Sequence, residues 1–371
     1  MLAIVDTHFP WLLSGFRYWE NYQFYNIDKE VLFFSLNKMN DYFPTEVHPL
    51  EHITQYPITD IYCVFLNHTL GLLDYPKEIP GKQNYGLSKL IQERNISIHA
   101  TIYPGGGYEE NFLDQAEEGL RFLGSHPNVK NVFTNVDDVK RIVPRAHRVA
   151  GVPVNTDFYE YAQRQQSDKI HLLFAAFNRR EKGFKYFVKA FNRLAPSKHH
   201  IHIVGDWAKE LYAIRNSNFT YYGPLLAADL RKVYYKCHIF INPTYRGSSA
   251  FWNRHIHKRY ITLDGFPTAA ARDAMSTGCC LISTNSRHDH TVFVPAEDYL
   301  EIREKSPEDI IKALEYLYCN KDEILAMAQK GSGKIKKNLD YRKIVAFKYN
   351  IITNKDEGSA PFSSTSDAVD M

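Results

Sequence analysis

The sequence predicts an α/β protein made of two doubly wound, Rossmann-like domains facing each other across a cleft. Three observations carry this. Short apolar runs of strand length alternate with helical periodicity, the mark of a mostly parallel sheet covered by helices. The alternation stops over a mixed segment from Val152 to Asp168, which contains Gln163, Gln165, Gln166 and Ser167, and then starts again. The 371 residues also exceed what one hydrophobic core fills. The expected units are a first domain over residues 1–155, a second over 168–340, and a C-terminal helix and disordered tail over 341–371.

In the first half the strands are read at Leu2–Val5, Val31–Leu36, Ile61–Leu66, Ser97–Ile102 and Val132–Thr134. Leu87, Leu90 and Ile91 mark one intervening helix face, and Phe112, Ala116, Leu120 and Leu123 mark another. The second half restarts with a strand at Ile170–Ala175, a helix through Phe187, Phe191 and Leu194, and strands at His200–Val204 and His238–Asn242. A later helix carries Ile310, Ile311, Leu314 and Leu317. After about residue 353 the chain turns to Ser, Asp, Gly and Ala, with little to bury.

Composition excludes several classes. A formal net charge of +3 is far from that of a dedicated nucleic-acid binder, so no nucleic-acid partner is expected. The five cysteines are scattered and odd in number, which fits buried thiols in a reducing compartment rather than a disulfide framework. No apolar run approaches 18 residues and the N-terminus reads as a first strand, so the cytoplasm is the expected location. The absence of any D-x-D pair removes the usual carboxylate bridge from a divalent cation to a diphosphate, and no metal cofactor is expected.

The chemistry concentrates in Leu263–Thr284, LDGFPTAAARDAMSTGCCLIST. An acid (Asp264), then Gly265, Phe266, Pro267 and Thr268, opens an alanine-rich helix that carries a second acid (Asp273) and ends at Gly278. A helix opened this way presents unpaired backbone N–H groups at the positive end of its dipole, a seat for phosphate. A second constellation is Phe174–Phe184, FAAFNRREKGF, where a strand ends in a loop bearing Arg179, Arg180 and Lys182. Cations there neutralise a departing diphosphate; a solvated basic loop is the alternative.

These two segments resemble the donor-site motifs of retaining GT-B glycosyltransferases of group 1. The first is similar to E-G-F-x-x-x-x-x-E-A-M-A-x-G: Asp264, Gly265, Phe266 and Pro267 match its turn, and Asp273, Ala274, Met275 and Gly278 match its helix end. Both acids are Asp here, and they stand nine apart where the family has eight. An extra helical residue turns a side chain by about 100°, which favours Arg272 over Asp273 unless the turn before the helix absorbs it; absorption in the turn is the expectation. The second segment resembles G-R-L-x-x-E-K-G, with Lys182 and Gly183 in register. Phe177 falls where the family has its arginine, so the charge must come from Arg179 or Arg180.

The resemblance implies an enzyme of the hexosyltransferase kind, moving a sugar with retention from a nucleoside-diphosphate sugar to an acceptor hydroxyl on a glycan, a lipid-linked glycan or a protein, without a metal. It implies catalytic roles for Lys182, Arg180 and Asp264. Arg179, Gly265, Phe266, Pro267, Thr268 and Asp273 would hold the donor. On the side of the first domain, which the resemblance makes the acceptor-binding one, Gly15 falls where the family has its flexible glycine loop, with Arg17 in reach of a phosphate. Tyr103 stands where a donor-touching His is usual, followed by Gly105, Gly106 and Gly107. A non-catalytic binder of glycans or nucleotide sugars on the same scaffold is the alternative. Between Pro243 and Leu263 lies a stretch containing Tyr245, Arg246, Trp252, Arg254, His255, His257, Lys258, Arg259 and Tyr260, longer than the family's passage from strand to turn. An anionic acceptor, a lipid phosphate at a membrane surface, a subunit and plain solvent remain alternatives for it.

Overall fold

The computed structural model describes residues 1–10, 15–38, 42–108, 113–165, 167–249, 260–262 and 265–354. Trp11–Ser14, Asp264, the 250–259 portion of the basic–aromatic stretch and the tail from 355 lie outside these.

The first domain is a seven-stranded sheet of β1 (Leu2–Phe9), β2 (Leu32–Lys38), β3 (Val47–Pro49), β4 (Asp60–Val64), β5 (Ser97–Ile102), β6 (Val129–Thr134) and β7 (His147–Arg148), in the order β3-β2-β1-β4-β5-β6-β7. All its pairs are parallel; Ala3, for instance, sits opposite Leu32 on one side and Ile61 on the other. Helices α1 (Gly15–Ile27), α2 (Leu66–Leu72), α3 (Ser88–Glu93), α4 (Leu113–Ser125) and α5 (Asp137–Ile142) cover it. Strands buried on both faces read as continuous apolar runs, and this is why Leu2–Val5 and Ser97–Ile102 were legible.

In the second domain the sheet runs β10-β9-β8-β11-β14-β15, again parallel throughout. Its elements are β8 (Ile170–Ala175), α6 (Phe184–Phe191), β9 (His199–Val204), β10 (Phe219–Tyr221), α7 (Ala227–Lys236), β11 (Ile239–Asn242), an antiparallel ribbon of β12 (Gly247–Ser249) and β13 (Tyr260–Thr262), α8 (Ala269–Thr277), β14 (Cys280–Ser283), β15 (Leu300–Glu301), α9 (Pro307–Cys319) and α10 (Lys321–Asn338). In α6, Phe184, Phe187, Val188 and Phe191 recur at helical spacing and bury one face, leaving Lys185 and Lys189 outside. Helix α9 starts where Ser306 accepts a hydrogen bond from the Asp309 amide at 3.2 Å, with Pro307 in its first turn. Helix α8 stops at Gly278, whose φ of +99° suits glycine.

A last helix, α11 (Tyr341–Thr353), leaves the second domain and packs on α1 of the first. The crossing is fixed by Val154, whose N–H donates to the Leu339 carbonyl at 2.8 Å and whose carbonyl accepts from the Tyr341 amide at 2.9 Å. At its centre Lys348 is fully buried, with Nζ 2.6 Å from Glu20 and 3.0 Å from each of the Tyr62 and Tyr103 hydroxyls.

Three expectations need correction. Gly15 does not sit in a loop: it is the first residue of α1, with open space around the position a Cβ would take. Arg17 is turned inward, 2.5 Å from Asp6 and buried, so its charge is used in the core. Tyr103 is 1% exposed, its hydroxyl bonded to Lys348 and its ring 6.0 Å from Phe16, so it packs the domain and does not line the cleft. The reason is α11, which fills the space that a loop tyrosine would otherwise face. Four cysteines are buried and Cys319 is exposed; all five are free thiols. No helix among the described residues is long and apolar enough to cross a membrane.

Candidate donor site at the second-domain switch point

In a doubly wound sheet the strand order reverses beside the first strand, and the loops leaving the carboxyl ends on either side of that point form a crevice. In the second domain those strands are β8 and β11. The loop after β8 is Ala176–Gly183; the loop after β11 begins at Pro243.

Gly183 locks the two loops together. It has φ +77°, and a Cβ there would lie 1.9 Å from the Pro243 carbonyl oxygen, so only glycine fits. One step further the Tyr245 amide donates to the Glu181 carbonyl at 2.9 Å. Lys182 and Arg179 are partly exposed here and Arg180 is exposed. Glu181 is turned inward and 1% exposed, and neither carboxylate oxygen accepts a hydrogen bond among the described residues. Its nearest cation is Arg179, at 3.8 Å.

The turn before α8 reaches the same place. Thr268 is the residue preceding the helix, yet its hydroxyl does not cap the helix; it donates to Asn242 Oδ1 at 3.2 Å, at the end of β11. The first residue of α8, Ala269, is exposed. The α8 start is therefore joined through Asn242 and Pro243 to Gly183 and its neighbour Lys182. Phe266 packs on Tyr299 with ring centroids 4.9 Å apart, which anchors the turn from below. Gly265 faces the first domain, its Cβ position 3.5 Å from Pro104 Cγ. Pro104 begins the glycine loop in which Gly105 has φ +84° and bridges to Tyr108. Turn and glycine loop thus meet across the cleft.

Asp273 lies one turn into α8, close enough to Tyr159 for the two to act on each other electrostatically. Burial pushes its carboxyl up to about 7, outweighing the pull of the neighbouring Arg272 cation and of Tyr159. Arg272 itself is buried and close enough to Tyr103 to act on it electrostatically. Asp264 lies outside the described residues.

Sequence reading passed over one cleft residue, Arg287. It follows β14 and faces Tyr108 and Asp138 of the first domain. Its Nη1 is buried without a hydrogen bond among the described residues, and burial holds the guanidinium below its usual range. The only signal was an arginine in Ser286-Arg287-His288 at a strand end, which has no pattern of its own. Nearby, His290 sits 3.1 Å from Glu301. No group of three metal-ligating side chains occurs among the described residues.

The two parallel sheets and the cleft between them define the GT-B fold. Solved structures agree: sucrose-phosphate synthase from Thermosynechococcus elongatus superposes with a TM-score of 0.67 at 12% identity, covering 95% of this chain and 98% of that one. HepE from Anabaena, in complex with UDP-glucose, gives 0.67 at 9% identity, covering 95% and 99%. A glycosyltransferase from Rickettsia africae gives 0.65 at 12%, covering 96% and 99%. Such identities establish the fold. No curated protein matches the chain. Residues 168–320 match the family model described as glycosyl transferases group 1. The chain thus carries a glycosyltransferase family domain, its second, on a GT-B fold.

Proposed function

We propose that the protein is a retaining hexosyltransferase that moves a sugar from a nucleoside diphosphate to an acceptor hydroxyl without a metal. One observation carries this reading: the α8 start and the Arg179–Lys182 loop are joined at the switch point, through Thr268 to Asn242 and Gly183 to Pro243. A pyrophosphate placed there meets helix amides on one side and cations on the other. Lys182, with Arg180 or Arg179, balances charge on the leaving diphosphate. Asp264 orients the sugar and Asp273 orients the ribose. Gly265, Phe266 and Pro267 shape the turn, and Gly15 and Gly105 border the acceptor side. The leaving phosphate takes the acceptor proton on the same face, so no side chain need act as general base; the protein contributes position and charge. The cytoplasm is the compartment this reading assigns.

Removing the principal cation tests it. Lys182→Ala should lower transfer by about 10²–10³-fold while leaving the melting temperature intact, measured with whichever UDP-, GDP- or ADP-sugar raises that temperature most. Near-normal turnover in the variant overturns the phosphate role. A donor that binds tightly without transfer or hydrolysis favours the non-catalytic binder instead.

A further inference from the structure

Outside the cleft, on the solvent side of α6, lies a cavity of about 840 Å³ bounded by the loop after β8, the outer face of α6 and the segment after β9. Lys182 does not line it. Its wall is strongly one-signed. Lys185, Lys189 and Arg215 are all exposed and form no ion pair among the described residues, while the only acid in the lining is Glu210. Lys185 and Lys189 are one helical turn apart and therefore project side by side. At its edge Tyr212 is 89% exposed, a large aromatic that nothing in the fold covers.

We infer that this cavity binds an acidic oligosaccharide, a sugar chain bearing carboxylate, sulfate or phosphate groups. Like charges gathered without partners repel one another, and an anionic ligand removes that cost. A single free anion reaches only one or two of these cations, because the lining stretch of α6, residues 184–192, extends about 12 Å. A chain with repeated charges reaches all of them. Tyr212 offers a ring face to a sugar ring, with its polar tip in water. A volume of this size suits a ligand of several rings. One outward aromatic and a net charge of +3 fit a short glycan better than a nucleic-acid strand, which needs a continuous basic track with stacking side chains. The cavity lies apart from the acceptor side of the cleft, so this site goes beyond the transfer reading and does not rest on it. Binding is measured without turnover, so the two can fail separately.

The test uses the full chain and fluorescence anisotropy, with labelled oligogalacturonate and a sulfated oligosaccharide as probes and maltohexaose as the uncharged control. At least one acidic probe should bind, and added salt should weaken it. Lys185→Ala/Lys189→Ala should cut that affinity by about tenfold or more, and Tyr212→Ala by about fivefold, with melting temperatures unchanged. The idea is overturned if neither acidic probe binds, if the double variant binds as well as the parent, or if maltohexaose binds equally. Displacement by inorganic phosphate at matched charge, or tighter binding of a single-stranded oligonucleotide of equal charge, overturns it too.

Discussion

Glu20 and Glu181 are both buried carboxylates, one in each domain, and they are treated in opposite ways. Glu20 has its cation in place: Lys348 reaches it from α11 at 2.6 Å, and Tyr62 donates to the same oxygen. Glu181 accepts no hydrogen bond among the described residues and has Arg179 only at 3.8 Å. A charge taken from water is costly unless it is paired. The first domain meets that cost with a structural lock. The second carries it at the mouth of the candidate donor site, beside Arg179. The contrast separates a carboxylate used to hold the fold together from one left unsatisfied beside the candidate site.

Lys348→Met breaks the paired side of the contrast, leaving Glu20 with the Tyr62 hydroxyl but without its cation. We expect a loss of about 3–5 kcal/mol, read as a fall in the denaturant midpoint. A loss below about 1 kcal/mol would mean that the lock is dispensable.

The same substitution at both acids sharpens the comparison. Glu20→Gln should lower the melting temperature, because Lys348 loses its counter-charge. Glu181→Gln should raise it, through about 1–3 kcal/mol of relieved desolvation. Shifts of the same sign in both variants would end the distinction.

The smallest effect concerns Asp273. Its carboxyl stands at about 7 in the fold, above the ordinary value of 3.8. The folded state therefore holds this proton more tightly than the unfolded chain does. Stability from this group is fully present below 3.8 and declines as pH rises towards 7, because the unfolded state sheds the proton first. Asp273→Asn should flatten the stability–pH curve across that window in chemical denaturation, and an unchanged slope would count against the assignment.

Much of the fold was legible in the sequence because parallel strands buried on both faces, such as Ile170–Ala175 and Ser97–Ile102, are written as unbroken apolar runs. What escaped were short edge strands such as β3, β7 and β10, of three, two and three residues, which carry too little pattern. Helix α1 also escaped, because its Tyr and Asn residues blur the periodicity and Gly15 looked like a turn. At the site, the glycine at 183 and the turn before α8 were readable from local chemistry. Arg287 and the partner of Tyr103 were not, since each depends on contacts between residues far apart in the chain: Lys348 is 245 positions from Tyr103. Pairings of that kind leave no local trace.

Because α11 belongs spatially to the first domain but is encoded after the second, the last cation of the Glu20 cluster leaves the ribosome after the rest of both domains. Until then the first sheet must stand with an uncompensated acid in its interior. Growing chains should therefore hold a loosened amino-terminal half for most of translation, tightening only once residues 341–353 emerge. Fusions or truncations that delay or remove this segment should be felt some 300 residues upstream, at Glu20 (the Lys348–Glu20 separation is 328).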